Sequence, residues 1–200
     1  MENINTFRQL YYTCKDLNKS IYEVALDYFQ LAASMGNGKA IGNIGYCYMY
    51  GKGVPEETDL ALSYFHIAMD LRDVDSYYKM GKIYSIGDTL EKDHELGVYY
   101  YETALAELLE NEPLQGQFEH PSLFYALALE KLPGGGLTES ISTSYKYLLV
   151  ANMGYQLAID DGAYYFEKEL EDVKNKMNES IYDSVRSAVK KEFKEEYMIR

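Results

Sequence analysis

Few residues in this 200-residue chain are of the types that bind metals or act as nucleophiles. It has three histidines, His66, His94 and His120, and two cysteines, Cys14 and Cys47. A zinc site usually needs such residues at short fixed spacings, for example His-x-x-x-His or Cys-x-x-Cys. Neither spacing occurs, and the cysteines lie 33 residues apart. The sequence therefore predicts no metal site and no cofactor, and it favours a reducing compartment.

Two short motifs resemble parts of catalytic sites but lack the rest of them. Ser76-x-x-Lys79 has the spacing found in penicillin-recognising enzymes, yet no Ser-Asp-Asn or Lys-Thr-Gly motif follows it. The three glycines of 134–136 are not followed by the lysine and hydroxyl residue of a phosphate-binding loop. Carboxylate pairs are too frequent in this acidic chain to indicate a general acid and base. We therefore expect a protein that is not an enzyme.

A repeating pattern of small and aromatic residues organises much of the chain. The pattern Ala-x-x-Tyr-Phe-x-x-Ala begins at Ala25 and again at Ala61, 36 residues later. Variants begin at Gly97, after another 36 residues, and at Ser144, after 47. These positions fall on one stripe of an α-helix, along which a second helix can pack closely. A second helical stripe between the copies ends in glycine, so each repeat is predicted to be a helical hairpin that shares its core with the next.

This pattern resembles the Sel1-like repeat, a relative of the tetratricopeptide repeat. The turn Tyr-x-x-Gly-x-Gly-Val and a period above 34 residues favour the Sel1-like form. The resemblance implies an all-α fold, an α/α superhelical solenoid, although Arg72 stands where the pattern has a glycine at the end of the first helix. The first copy carries the motif at Ala25, Phe29, Ala32, Ala33, Gly36, Ala40, Ile44, Gly45, Tyr48, Gly51, Gly53 and Val54.

We expect one Sel1-like repeat domain over residues 1–200. Because the ends of such arrays need polar outer faces, a capping helix is predicted at each end, over 1–20 and over 177–200. The repeats themselves are predicted at 21–56, 57–92, 93–139 and 140–176.

Acidic residues exceed basic ones, with 32 Asp and Glu against 19 Lys and Arg and a formal net charge of −13. Such a chain repels phosphate groups, so nucleic acid is not an expected partner. The acidic excess lies in three stretches, 56–75, 88–112 and 160–172. Two interpretations stay open. The acids keep the protein in solution and cap its helices, or they attract a basic protein partner.

The resemblance also implies that the first helix of each repeat lines the concave surface of the solenoid. Helix geometry then selects the positions that point away from the core stripe. The candidate partner-binding residues are Asp27, Gln30, His66, Asp70, Tyr99 and Glu102. The same positions would be solvated on any amphipathic helix, and that alternative stays open.

The 22 tyrosines divide by their place in the repeat. One set occupies repeat positions and is expected in the core: Tyr28, Tyr48, Tyr64, Tyr84, Tyr100 and Tyr147. A second set lies at or beyond the edge of the core stripe: Tyr46, Tyr50, Tyr77, Tyr99 and Tyr164. Exposed tyrosines are favoured at protein interfaces, so the second set could contact a partner.

These features predict a non-enzymatic protein-binding scaffold or adaptor. It would capture a protein partner of basic character in an acidic groove that contains tyrosine. The alternative is a dedicated inhibitor or immunity protein that neutralises one toxin or enzyme. Without an apolar leader at the start, or any apolar run of about 18 residues, we expect a cytoplasmic location and no membrane insertion. The oligomeric state stays open.

Overall fold

The computed structural model describes residues 19–87, 89–111 and 114–197. The helix predicted for the N-terminal cap therefore lies outside the described residues, except for Lys19 and Ser20. Within the described part all regular structure is helical. The α-helices are α1 (Ile21–Ser34), α2 (Gly38–Met49), α3 (Thr58–Asp70), α4 (Val74–Ile86), α5 (His94–Asn111), α6 (Pro121–Glu130), α7 (Ile141–Asp160), α8 (Glu167–Met177) and α9 (Arg186–Glu196).

Short 3-10 helices join several of these elements. They span Leu114–Glu119, Tyr164–Phe166 and Ser180–Tyr182. The chain divides into two compact units, Met1–Tyr77 and Tyr78–Arg200, and the division falls within α4. We describe each unit separately.

In the first unit, glycines let α2 approach its neighbours closely. A Cβ atom added at Gly45 would lie 3.0 Å from the Phe65 ring and 3.0 Å from the Ala61 carbonyl oxygen of α3. One added at Gly42 would lie 2.3 Å from the Ser76 hydroxyl of α4. The small residues predicted from the repeat therefore lie where the helices touch.

The second unit repeats this close packing one period later. A Cβ atom at Gly81 of α4 would lie 2.6 Å from the Tyr101 ring and 2.9 Å from the Gly97 carbonyl oxygen of α5. Further along the chain, α7 packs against α6, α8 and α9 and buries Leu148, Ala151 and Tyr155.

A pair of stacked tyrosines lies at the same helix junction in each unit. Tyr48 and Tyr64 stack in the first unit, with ring centroids 5.7 Å apart and planes 4° apart. Tyr84 and Tyr100 stack in the second, at 5.8 Å and 9°. These four rings are half-buried, as is Tyr147, so they border the core rather than fill it.

The prediction that Tyr28 lies in the core is wrong, because its side chain is 61% exposed. Its repeat counterparts Tyr64 and Tyr100 are covered by stacking on a tyrosine of the preceding helix. The same repeat position is therefore half-buried in these two repeats and exposed in the first.

Two further details of the structure agree only in part with the sequence predictions. Arg72, which replaces the expected glycine, has φ 62°, a left-handed conformation that glycine adopts without strain. The C-terminal cap predicted over 177–200 contains two helical pieces, because a turn separates Ser180–Tyr182 from α9. The Tyr182 side chain is buried, and its hydroxyl lies 2.9 Å from the Ser144 hydroxyl of α7.

Candidate protein-binding surface

The first unit places four predicted site residues on exposed helix faces. Asp27 and Gln30 lie on α1, and His66 and Asp70 lie on α3. All four are exposed. The Lys19 ammonium group lies 2.5 Å from the Asp27 carboxylate, so the charge of this one acid is partly neutralised within the unit.

Sequence reasoning missed apolar residues that accompany these polar ones. Leu31 and Ile67 are 61% and 49% exposed, and Met35 and Leu71 are 82% and 49% exposed. Each pair is 36 residues apart and directly follows a polar pair, Gln30 with His66 and Ser34 with Asp70. The repeat register could have identified them, because apolar residues recur there outside the core stripe.

The second unit carries the other two predicted residues on α5. Tyr99 is 59% exposed, and Glu102 is also exposed. The Tyr99 ring contacts the Tyr100 ring edge to face, with centroids 5.7 Å apart. Because Tyr100 also stacks on Tyr84, Tyr99 rests on a fixed aromatic base and keeps its outer face free for a partner.

The charged residues of α5 are all acidic, apart from one histidine. This helix contains Glu95, Glu102, Glu107 and Glu110 and no Lys or Arg. Burial raises the pKa of Tyr147, and the charge of Glu102 raises it further. Carboxylates near the carboxyl end of a helix also oppose its dipole, so a cation at this face would be favourably placed.

The six candidate residues thus divide between the units. Asp27, Gln30, His66 and Asp70 belong to the first unit, whereas Tyr99 and Glu102 belong to the second. Each unit presents an exposed mixture of acidic, polar and large side chains. The single groove that combines all six remains a prediction.

The polar groups that could have indicated catalysis have structural partners. Ser76 is fully buried, and its hydroxyl donates a hydrogen bond to the Asp73 carboxylate at 2.5 Å. Its close contact with Gly42 makes it a packing residue. The His94 imidazole lies 3.3 Å from the Glu130 carboxylate. Among the described residues, no group of three or more His, Cys, Asp or Glu could hold a metal ion.

A cleft of about 480 Å³ lies at the start of α5. Its lining is polar and mixed in charge, which is unlike the mostly apolar lining of a typical small-molecule site. It is formed by Tyr84, Glu91, Lys92, Asp93, His94 and Glu95. In the part of the chain that the structure describes, no helix is long and apolar enough to span a membrane.

A known repeat family matches the sequence of these close-packed helices. The Sel1 repeat family matches residues 16–37, 38–73 and 74–107. The similarity to this family therefore extends over residues 16–107. The hairpins predicted at 93–139 and 140–176 lie mostly beyond this Sel1 match and stay predictions.

Solved structures with the Sel1 fold resemble a larger part of the chain. A protective antigen present in uropathogenic Escherichia coli strains, which displays an SLR fold, is 22% identical over 72% of this chain, with a TM-score of 0.50. A Sel1 repeat protein from Oxalobacter formigenes is 20% identical over 82%, with a TM-score of 0.53. The predicted all-α solenoid class is confirmed.

This chain spans only 29% and 62% of the lengths of those two proteins. No curated protein matches its sequence. Sel1 repeat proteins generally act as protein–protein interaction scaffolds.

Proposed function

We propose that this chain is a non-enzymatic scaffold or adaptor that captures a protein partner on the exposed faces of α1, α3 and α5. The observation that carries the proposal is the pairing of exposed apolar and polar positions at the 36-residue step. Leu31 and Ile67 each follow a polar residue, Gln30 and His66. Protein interfaces combine apolar anchors with a polar rim in this way.

The charge of these faces favours a partner with basic side chains. The chain has a net charge of −13, and α5 carries four glutamates without Lys or Arg. Opposite charge on a partner would speed its association and orient it. The same charge disfavours nucleic acid.

Tyr99 is the proposed anchor in the second unit. A tyrosine that is already held by a neighbouring ring loses little side-chain freedom when a partner covers it. Tyrosine is also among the residues enriched at the energetic centres of interfaces. Tyr99 and Glu102 should therefore contribute to affinity together, the ring by packing and the carboxylate by attraction.

The test begins by identifying the partner of the tagged full-length chain by co-purification from its native host. The binding of the purified partner is then measured by calorimetry. We expect Tyr99→Ala with Glu102→Lys to weaken binding at least tenfold, about 1.4 kcal/mol or more, with an unchanged circular dichroism spectrum. A matched control, Glu192→Lys, makes the same charge reversal at an exposed residue of α9 and should bind normally.

Equal binding by the wild type and the Tyr99/Glu102 variant would remove the α5 face from the proposal. The corresponding variant of the first unit, Leu31→Ser with Ile67→Ser, tests the α1 and α3 faces in the same assay. An inhibitor or immunity protein would use similar surface chemistry. If the partner loses its own enzymatic or toxic activity in the complex, the inhibitor role replaces the adaptor role.

A further inference from the structure

Two adjacent tyrosines are unusually exposed at the junction between α7 and α8. Tyr164 is 66% exposed and Tyr165 is 77% exposed, and both lie in the 3-10 helix Tyr164–Phe166 of the second unit. They are distant in sequence from the repeat match, which ends at residue 107. Most of the large apolar surface of both rings is left in water, which is unfavourable unless another molecule covers it.

A chain of ring contacts links Tyr165 to the core. The Tyr165 and Phe166 centroids are 4.4 Å apart, and those of Phe166 and Tyr155 are 5.2 Å apart. Tyr155 is only 1% exposed. Its hydroxyl lies 2.8 Å from the Ser122 hydroxyl of α6, within hydrogen-bond distance. Tyr165 thus packs on rings that are fixed to the core, so that it loses little conformational freedom when a ligand binds.

Carboxylates surround this pair on both sides along the chain. Asp160 and Asp161 precede it, Glu167 follows it, and all three are exposed. Asp160 accepts a hydrogen bond from the Gln156 side-chain amide at 3.0 Å. Lys168 is the one basic residue in the stretch 160–172. The local excess of negative charge favours a cationic ligand.

Another carboxylate in this stretch, that of Glu169, has an oxygen atom without a hydrogen-bond donor in the described part of the chain. The Glu169 carboxylate oxygen Oε2 is buried and has no hydrogen-bond partner among the described residues. Glu169 lies four residues after Tyr165, and the residue as a whole is only partly buried. A buried acceptor without a donor is costly, by about 1–3 kcal/mol. Glu169 thus adds a further carboxylate to the acidic stretch around the exposed tyrosines.

We propose that Tyr164 and Tyr165, together with Asp161 and Glu167, bind an arginine side chain presented by an exposed segment of a partner protein. This inference rests on the proposed protein-binding function and adds a second surface to it. A guanidinium group is planar, stacks on an aromatic ring and donates paired hydrogen bonds to a carboxylate. A lysine ammonium group is a point charge that does neither as well. The site therefore selects arginine over lysine.

The test uses the full-length chain and short synthetic peptides in which glycine alternates with arginine or, at the same charge, with lysine. Calorimetry at physiological salt should show tighter binding of the arginine peptide. Tyr165→Leu keeps an apolar side chain and removes the aromatic face, and it should weaken that binding roughly threefold. Glu167→Gln should also weaken it. The matched controls Tyr22→Leu, at an exposed tyrosine of the first unit, and Glu192→Gln should bind the arginine peptide as the wild type does.

Three results would overturn the proposal. They are no measurable binding of the arginine peptide, equal affinity for the arginine and lysine peptides, and equal losses in the Tyr165 and Tyr22 variants. The last two would mean that the peptide senses only the overall acidity of the chain. Because no natural partner is used, failure here leaves the test of the α5 face intact. Failure of the α5 face likewise leaves the peptide result intact.

Discussion

Tyrosine performs three different tasks in this chain, and its surroundings decide which. Tyr84 and Tyr100 stack at a helix junction. Tyr182 is fully buried and pairs its hydroxyl with that of Ser144. The Tyr165 side chain is exposed, and its ring contacts that of Phe166. An aromatic ring with a polar tip can pack, pair or bind, so the high tyrosine content by itself indicates none of these tasks.

Glycine at the helix junctions is the residue whose replacement should be felt most sharply. In Gly81→Ala, the added methyl group would lie 2.6 Å from the Tyr101 ring, which is buried. Overpacking of this kind costs about 1–3 kcal/mol. The urea midpoint of unfolding should fall accordingly. The neighbouring exposed residue provides the control, because Lys82→Ala should change stability by less than about 0.5 kcal/mol. Equal midpoints for both variants would mean that the helices at this junction can move apart freely.

At the scale of the element, α1 begins with a complete capping box. The Ser20 hydroxyl accepts from the Glu23 backbone amide at 3.2 Å, and the Glu23 carboxylate accepts from the Ser20 amide at 2.7 Å. This second hydrogen bond favours the ionised carboxylate and lowers the pKa of Glu23. Two backbone amides that the helix leaves unpaired are thereby satisfied.

The capping box should make the stability of the first unit depend on pH in the acid range. A lowered pKa means that the stabilisation is present above the ordinary glutamate pKa and disappears as the pH falls through the lowered value. Glu23→Gln keeps the hydrogen bond without the charge. The wild type should therefore be more stable than Glu23→Gln at neutral pH, and the difference should vanish at low pH. Urea unfolding at several pH values checks this. A difference that does not change with pH would contradict it.

At the scale of the whole molecule, buried tyrosines limit the stability of the protein in alkali. Burial raises the pKa of Tyr101 to about 12 and that of Tyr197 to about 12. The Tyr197 hydroxyl also donates a hydrogen bond to the Gln117 carboxamide oxygen at 2.7 Å, across 80 residues of sequence. Each hydroxyl ionises by losing its proton, and burial in the folded state makes that loss less favourable.

A raised tyrosine pKa contributes stability that is complete below the ordinary value near 10 and is lost as the pH rises through the raised value. We expect the urea midpoint to decline between about pH 10 and pH 12. Tyr101→Phe should make the decline shallower, because it removes one of the responsible hydroxyls. Tyr99→Phe is the matched control, since its exposed hydroxyl should leave the slope unchanged. Identical slopes for all three proteins would assign the alkaline loss to other groups.

Local periodicity in the sequence was sufficient to predict the repeated helices and their contact residues. Gly45, Gly81 and Ser76 lie at the junctions that the 36-residue step indicates. The resemblance to Sel1 repeats is confirmed over 16–107. Small and aromatic residues at helical spacing determine which face of a helix can be covered, and this property is readable from neighbours along the chain.

Only the tertiary structure decided which of these faces are in fact covered. Tyr28 has the same repeat position as Tyr64 but is exposed, whereas Tyr64 is partly covered by its stacking on Tyr48 of the preceding helix. The exposure of Leu31, the rigid base beneath Tyr165 and the unpaired carboxylate oxygen of Glu169 likewise depend on contacts between distant segments. The sequence alone determined the repeat. Burial depends on what packs against each side chain, and spacing along one helix carries no record of that.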